Sequence, residues 1–167
     1  KAVPPPGPEK MPESKDLKQM LQPPAHLQEW PEGDGLRVLV VEDNPVNSEI
    51  FQRTLAGWGI RSEWVDSVAA ALGKIDLSHA GKPAYDLVLL DYQLPETSGA
   101  DFLRQLRISS CCRDLPVIMA SSIPPSDWGD PVSRNFATAC IMKPVWPSTL
   151  FAALADLLLE GATTTPK

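Results

Sequence analysis

No stretch of this 167-residue chain approaches the roughly 18 consecutive apolar residues of a membrane span. No basic segment followed by an apolar run opens it, so no signal peptide is visible. Basic charge is short: Lys plus Arg number 15 against 21 for Asp plus Glu, a formal charge of -6. A general nucleic-acid binder needs a basic face to release counterions, so that class is set aside. Cysteine is scarce, with only Cys111, Cys112 and Cys140. The number is odd, two are adjacent, and none has zinc-ligand spacing, so the reading is free thiols in a reducing compartment. His26 lies between Pro24 and Trp30 without a charged partner pattern and reads as a solvated linker residue rather than a phosphorylatable histidine.

What is abundant is proline, 18 residues in all. Those before residue 35 include the run Pro4-Pro5-Pro6-Gly7-Pro8, which favours extended chain without a packed core. Residues 1–35 are therefore expected to be a linker, with one short helix at 14–22, where Ser14 can cap and Leu17, Met20 and Leu21 share a face. The chain opens on Lys1 rather than Met, which reads as a fragment.

From Leu36 the pattern alternates. The short apolar run Leu36–Val41 suits a strand buried on both faces, Asp86–Leu90 reads as another buried strand, Ile60–Val65 and Leu115–Ala120 as further strands, and Ala137–Met142 as a weak fifth. Between them lie amphipathic stretches. Asn44 and Pro45 make a cap and first turn for a helix with Val46, Ile50, Phe51 and Leu55 at helical spacing, ended by Gly57 and Gly59. Helices are also expected over Ser67–Ile75, Ala100–Ile108 and Pro147–Leu159. In the segment after the fourth strand, Gly129 and Pro131 disfavour a long helix, so that element should be short, displaced or mobile. Trp128 within it is either an exposed partner contact or a lid on the core. Five strands alternating with helices imply an α/β fold with a parallel sheet. Residues 36–160 form the expected domain, followed by a tail at 161–167.

In open α/β sheets ligands bind beyond the carboxyl ends of the strands. Those ends carry Glu42 and Asp43, Asp91, Ser121 and Lys143. Three crowded carboxylates repel unless a cation sits among them, and hard oxygen donors with room for water suit Mg2+. A divalent ion, a hydroxyl and an ammonium are what a transferring phosphoryl group requires, and a carboxylate can itself be the nucleophile.

Val40–Asn47 (VVEDNPVN), Leu89–Gly99 (LLDYQLPETSG), Pro116–Ser122 (PVIMASS) and Met142–Pro144 (MKP) together resemble the receiver domain of the response-regulator family. The resemblance covers about Leu36 to Leu159 and implies a flavodoxin-like (βα)5 fold with strand order 2-1-3-4-5 and helices on both faces. It implies Asp91 as phosphoacceptor, Asp43 and Glu42 as the acidic pair, and the Gln93 backbone carbonyl as a further Mg2+ ligand. Ser121 would bond the phosphoryl group, Lys143 would pair with it, and Lys143-Pro144 would be cis. Gln93 and Ile123 would line the approach of water. Cys140 stands where the family usually has Tyr or Phe, which puts the usual aromatic switch with Ser121 in doubt.

The proline-rich tether before the receiver, and the DNPVN run, are similar to the receivers of hybrid sensor histidine kinases. The implied partners are a histidine kinase dimerisation and phosphoacceptor domain and a histidine phosphotransfer domain, with no direct contact to nucleic acid or membrane. The implied location is the cytoplasm, within a parent protein that can be membrane-anchored elsewhere. Two rivals are a receiver fold used only for docking and a haloacid-type phosphatase. The latter wants a second Asp where Gln93 stands.

Overall fold

The computed structural model describes residues 36–75, 84–94, 99–129 and 131–163; the linker at 1–35, with its expected helix at 14–22 and His26, lies outside them. Five strands, β1 (Arg37–Val41), β2 (Arg61–Val65), β3 (Leu87–Asp91), β4 (Val117–Ser121) and β5 (Ala139–Met142), pair in parallel in the order β2-β1-β3-β4-β5. This is the expected flavodoxin-like order. The helices are α1 (Pro45–Gly57), α2 (Val68–Ile75), α3 (Gly99–Ile108), α4 (Pro131–Phe136) and α5 (Pro147–Thr163), with a 3-10 turn at Pro125–Asp127 before α4.

Alternate side chains of each strand face opposite sides of the sheet, and the core divides accordingly. Leu39, Val41, Val88, Leu90, Val117 and Met119 pack with α2 and α3 on one side. Val38, Val40, Leu87, Leu89, Ile118 and Ala120 pack with α1 and α5 on the other. All three central strands are apolar on both faces because both are covered.

Local chemistry sets the ends. Asn44 caps α1 as expected, its Oδ1 accepting from the amides of Val46 (2.9 Å) and Asn47 (3.3 Å), and Pro45 takes the first helical position. Gly59, with φ of 75°, turns the chain out of α1, and Trp58 beside it packs edge-on against Phe151 of α5 with centroids 5.1 Å apart. Strand β3 ends at Asp91, and the Tyr92 amide continues the ladder by donating to the Ala120 carbonyl at 2.9 Å. Helix α5 runs to Thr163, past the expected end at Leu159.

The segment after β4 is short, as its composition implies. Pro131 does not end a helix there; it begins the six-residue α4, where its missing N–H is no loss. Trp128 is a lid on the core, only 4% exposed. One expectation about α1 fails. Val46 and Ile50 are 63% and 52% exposed, while Phe51 and Leu55 face the sheet together with Ser48 and Thr54. The two hydroxyls can turn inward because each donates to a carbonyl of its own helix, Ser48 to Pro45 and Thr54 to Ile50, both at 2.8 Å.

Candidate functional site

Register brings the carboxyl ends of β1, β3, β4 and β5 to one edge. Val41 pairs with Leu90, so the next residues, Glu42 and Asp91, are neighbours. Asp91 pairs with Ala120, which precedes Ser121, and Ser121 pairs with Met142, which precedes Lys143. The Lys143 amide donates to the Ser121 carbonyl at 2.8 Å and completes the edge.

Glu42, Asp43 and Asp91 each bring a carboxylate oxygen within 4.8 Å of the others. Glu42 and Asp91 are buried and Asp43 is exposed, so the group opens to solvent on the Asp43 side. Lys143 reaches across from the β5 end, its Nζ 3.0 Å from Asp91 Oδ1 and 3.3 Å from Glu42 Oε2, with its side chain only 18% exposed. The Gln93 amide donates to Asp91 Oδ1 at 3.0 Å and the Asn44 amide to Glu42 Oε1 at 3.2 Å. Both carboxylates are therefore fixed in orientation by the loops that follow their strands.

The electrostatics match a crowded anionic site. Burial first, and the Asp91 charge second, push the Glu42 carboxyl up to about 7. Burial draws the Lys143 ammonium down, but Asp91 and Glu42 together outweigh it and leave its pKa raised. Lys143 stays cationic, and it meets part of the negative charge. Hard oxygen donors, a partly open side and unrelieved repulsion at Glu42 together fit a divalent cation that keeps several waters. Mg2+ suits this donor set.

The expected groups Glu42, Asp43, Asp91 and Lys143 thus converge. Gln93 contributes its amide to Asp91, and the Lys143-Pro144 peptide is cis as the resemblance implied. Ser121 stands on the same edge, but its hydroxyl bonds the loop residues Ile123 and Trp128. Cys140 packs against the core on the α2 and α3 side, and burial pushes its thiol up. None of the three cysteines is in a disulfide.

Sequence reasoning missed two tryptophan contacts. Trp64 of β2 donates its indole N–H to the Glu42 carbonyl at 2.7 Å, holding the acidic pair from the side. Trp128 donates to Ser121 Oγ at 3.2 Å. For Trp128, which is buried, the available signal was general: a buried indole N–H usually finds an acceptor.

Beside Lys143 a groove of about 390 Å³ is lined by Asn47, Ile50, Phe51, Ser122, Pro144 and Val145. The exposed Ile50 lies in it, with Val46 one turn away on α1.

Residues 38–155 match the family model described as the response regulator receiver domain. Among curated proteins, the chain is 35% identical over 91 residues to the two-component response regulator ORR1 of Oryza sativa subsp. japonica, covering 52% of this chain and 39% of that protein. It is 30% identical over 127 residues to the sensory/regulatory protein RpfC of Xanthomonas campestris pv. campestris, covering 75% of this chain and 17% of RpfC. It is 37% identical over 75 residues to the autoinducer 2 sensor kinase/phosphatase LuxQ of Vibrio vulnificus, covering 45% of this chain and 8% of LuxQ. The match therefore spans well under half the length of these relatives. Among solved structures, the CheY-like receiver domain of Methylobacillus flagellatus superposes with a TM-score of 0.63 at 25% identity, over 74% of this chain and 98% of that one. The receiver domain of a Pseudomonas aeruginosa sensor histidine kinase, with a magnesium ion in its active-site cleft, gives 0.61 at 25% identity over 74% and 98%.

Proposed function

Because this chain belongs to the response regulator receiver family, we propose that it accepts a phosphoryl group from a phosphohistidine onto Asp91 and switches a signalling surface in response. The observation that carries this reading is Lys143, 3.0 Å from Asp91 and 3.3 Å from Glu42 although 101 residues separate it from Glu42 in sequence. An acidic group can arise at any strand end; an acidic group with a lysine folded over the central carboxylate is arranged for phosphoryl chemistry.

In the proposed reaction an Asp91 oxygen attacks phosphorus in line. The new O–P bond forms as the P–N bond to the donor imidazole breaks, and the electron pair leaves on the imidazole nitrogen, which takes a proton. Asp91 Oδ1 is oriented by the Gln93 amide and Lys143, so little rotational freedom is lost on approach. Lys143 then pairs with the added charge, roughly two negative charges near neutral pH. Glu42, Asp43, Asp91 and the Gln93 backbone carbonyl would hold Mg2+, which when bound neutralises charge on the phosphoryl oxygens. Ser121 would donate to the phosphoryl group once its hydroxyl leaves the loop.

The groove beside Lys143, with Ile50 exposed in it and the exposed Val46 one turn away, supports docking of an apolar helical face that presents the phosphohistidine. Donor and acceptor domains of that kind, a kinase dimerisation and phosphoacceptor domain and a histidine phosphotransfer domain, fit the likeness to parts of longer sensor kinases. Residues 1–35 would then tether the receiver to such a parent, in the cytoplasm. Among the described residues no helix is long and apolar enough to cross a membrane.

Incubation with Mg2+ and acetyl phosphate or phosphoramidate should add one phosphoryl group by intact mass, and EDTA should prevent it. Asp91→Asn should not label. Equal labelling of Asp91→Asn would overturn the assignment, and no labelling of the parent would favour the docking-only alternative.

A further inference from the structure

Ser121 is fully buried at the end of β4, and its hydroxyl already has three hydrogen bonds. It donates to the Ile123 carbonyl at 2.8 Å, and it accepts from the Ile123 amide at 3.1 Å and from the Trp128 indole N–H at 3.2 Å. A hydroxyl has one proton and two lone pairs, so this one is saturated. All three bonds run to the loop after the strand. The indole N–H is shared with the Ile123 carbonyl at 3.3 Å. The Trp128 ring lies flat on Tyr92, centroids 4.5 Å apart and planes 11° apart, and Tyr92 directly follows Asp91. Trp128 therefore touches the residue beside the phosphoacceptor and the hydroxyl that would sense it. Its own backbone is held in turn by Arg134 of α4, whose guanidinium donates to the carbonyls of Pro125 (3.2 Å), Ser126 (3.3 Å) and Trp128 (3.4 Å).

We propose that Trp128 is a positioning residue for Ser121: its indole N–H holds the hydroxyl on the loop side, and phosphorylation of Asp91 draws the hydroxyl off the indole and loosens the Pro125–Trp128 segment that Arg134 ties to α4. The proposal rests on Asp91 being the phosphoacceptor. To reach a phosphoryl oxygen, Ser121 must withdraw its proton from the Ile123 carbonyl and turn toward Asp91, which stretches both bonds it accepts. The exchange is favourable because a bond to an anionic oxygen is roughly twice as strong as a neutral one. The indole is not stranded, since the Ile123 carbonyl remains within its reach. Cys140 has no ring with which to follow the hydroxyl; Trp128 has one and is already bonded to it.

The test titrates the full chain with beryllium fluoride in the presence of Mg2+, following the indole N–H resonances of its five tryptophans. The Trp128 resonance, assigned through its proximity to the Tyr92 ring, should move upfield as its hydrogen bond weakens. Trp128→Phe keeps a ring on Tyr92 and removes the donor together with a little core volume. It should bind beryllium fluoride about 2- to 10-fold more tightly, the worth of one neutral hydrogen bond. In a Ser121→Ala background the same substitution should change nothing. An unmoved Trp128 resonance, parental or weaker binding by Trp128→Phe, or the same gain in the Ser121→Ala background would each overturn the proposal. The resonance reads on the parent chain, whatever the folding of the variants. A parent that binds no beryllium fluoride would instead remove the phosphoacceptor reading, and this inference with it.

Discussion

At the scale of single residues, charge is placed according to which neighbours can satisfy it, and Tyr85 with Glu63 shows this away from the site. The Tyr85 hydroxyl donates to Glu63 Oε2 at 2.5 Å; Lys74 lies 3.4 Å from the same oxygen and Arg37 3.5 Å from Oε1. The Tyr85 hydrogen bond is the main reason the Glu63 carboxyl sits below its usual range, and burial followed by Glu63 pushes Tyr85 up to about 12. A phenol raised above its unfolded value of about 10 contributes stability that is intact below that pH and lost as pH climbs toward 12. A depressed carboxyl works oppositely, its contribution present above about 4 and lost as pH falls through its folded value. Tyr85→Phe should therefore be about 1 kcal/mol less stable than the parent near pH 7, less than a fully buried charged bond because Glu63 is partly solvated. The gap should narrow at pH 11, where the parent has lost part of its advantage. Urea midpoints of both proteins at pH 7, 9 and 11 check this; a constant gap would show that ionisation of Tyr85 is not involved.

At the scale of elements, the joints are made by side chains that cross between them. Arg107, in the last turn of α3, donates to the carbonyls of Arg113 (2.9 Å) and Leu115 (2.7 Å) before β4, and to that of Phe136 (2.8 Å) at the end of α4. Burial lowers its pKa, opposed by Asp114, yet it remains a cation solvated largely by carbonyl dipoles. Arg107→Ala should cost about 2 kcal/mol in urea unfolding. Arg107→Lys should recover little, because a compact ammonium cannot span three carbonyls as the planar fork does. Elements of this kind were well marked in the sequence where composition decides them: LRVLVV, DLVLL and LPVIMA read as strands, and Asn44-Pro45 as the opening of a helix. The inward face of α1 was not legible. Apolar spacing offered Val46 and Ile50, whereas the face was settled by Phe51 and Leu55 with two hydroxyl residues whose polarity their own helix absorbs. The site was legible in its charged groups, because parallel strand ends must share an edge. The partners of Ser121 were not, since an eight-residue segment with three prolines and a glycine gives no periodicity from which to orient an indole.

At the scale of the whole molecule, both core clusters are built from residues between Leu36 and Leu157. Residues 36–163 expressed alone should therefore unfold in one cooperative transition with the urea midpoint of the 167-residue chain. A lower midpoint for the shortened protein would show that the removed terminal residues stabilise the receiver. The strand order also leaves the sheet with two outer margins, β2 and β5. Among the described residues each has a row of backbone groups with no strand beyond it, the kind of surface on which two copies can zip together. β5 offers only four residues, and β2 carries Arg61 and Glu63. Edge-to-edge aggregation is therefore opposed at β2 by the charges of Arg61 and Glu63 and at β5 by the shortness of the strand.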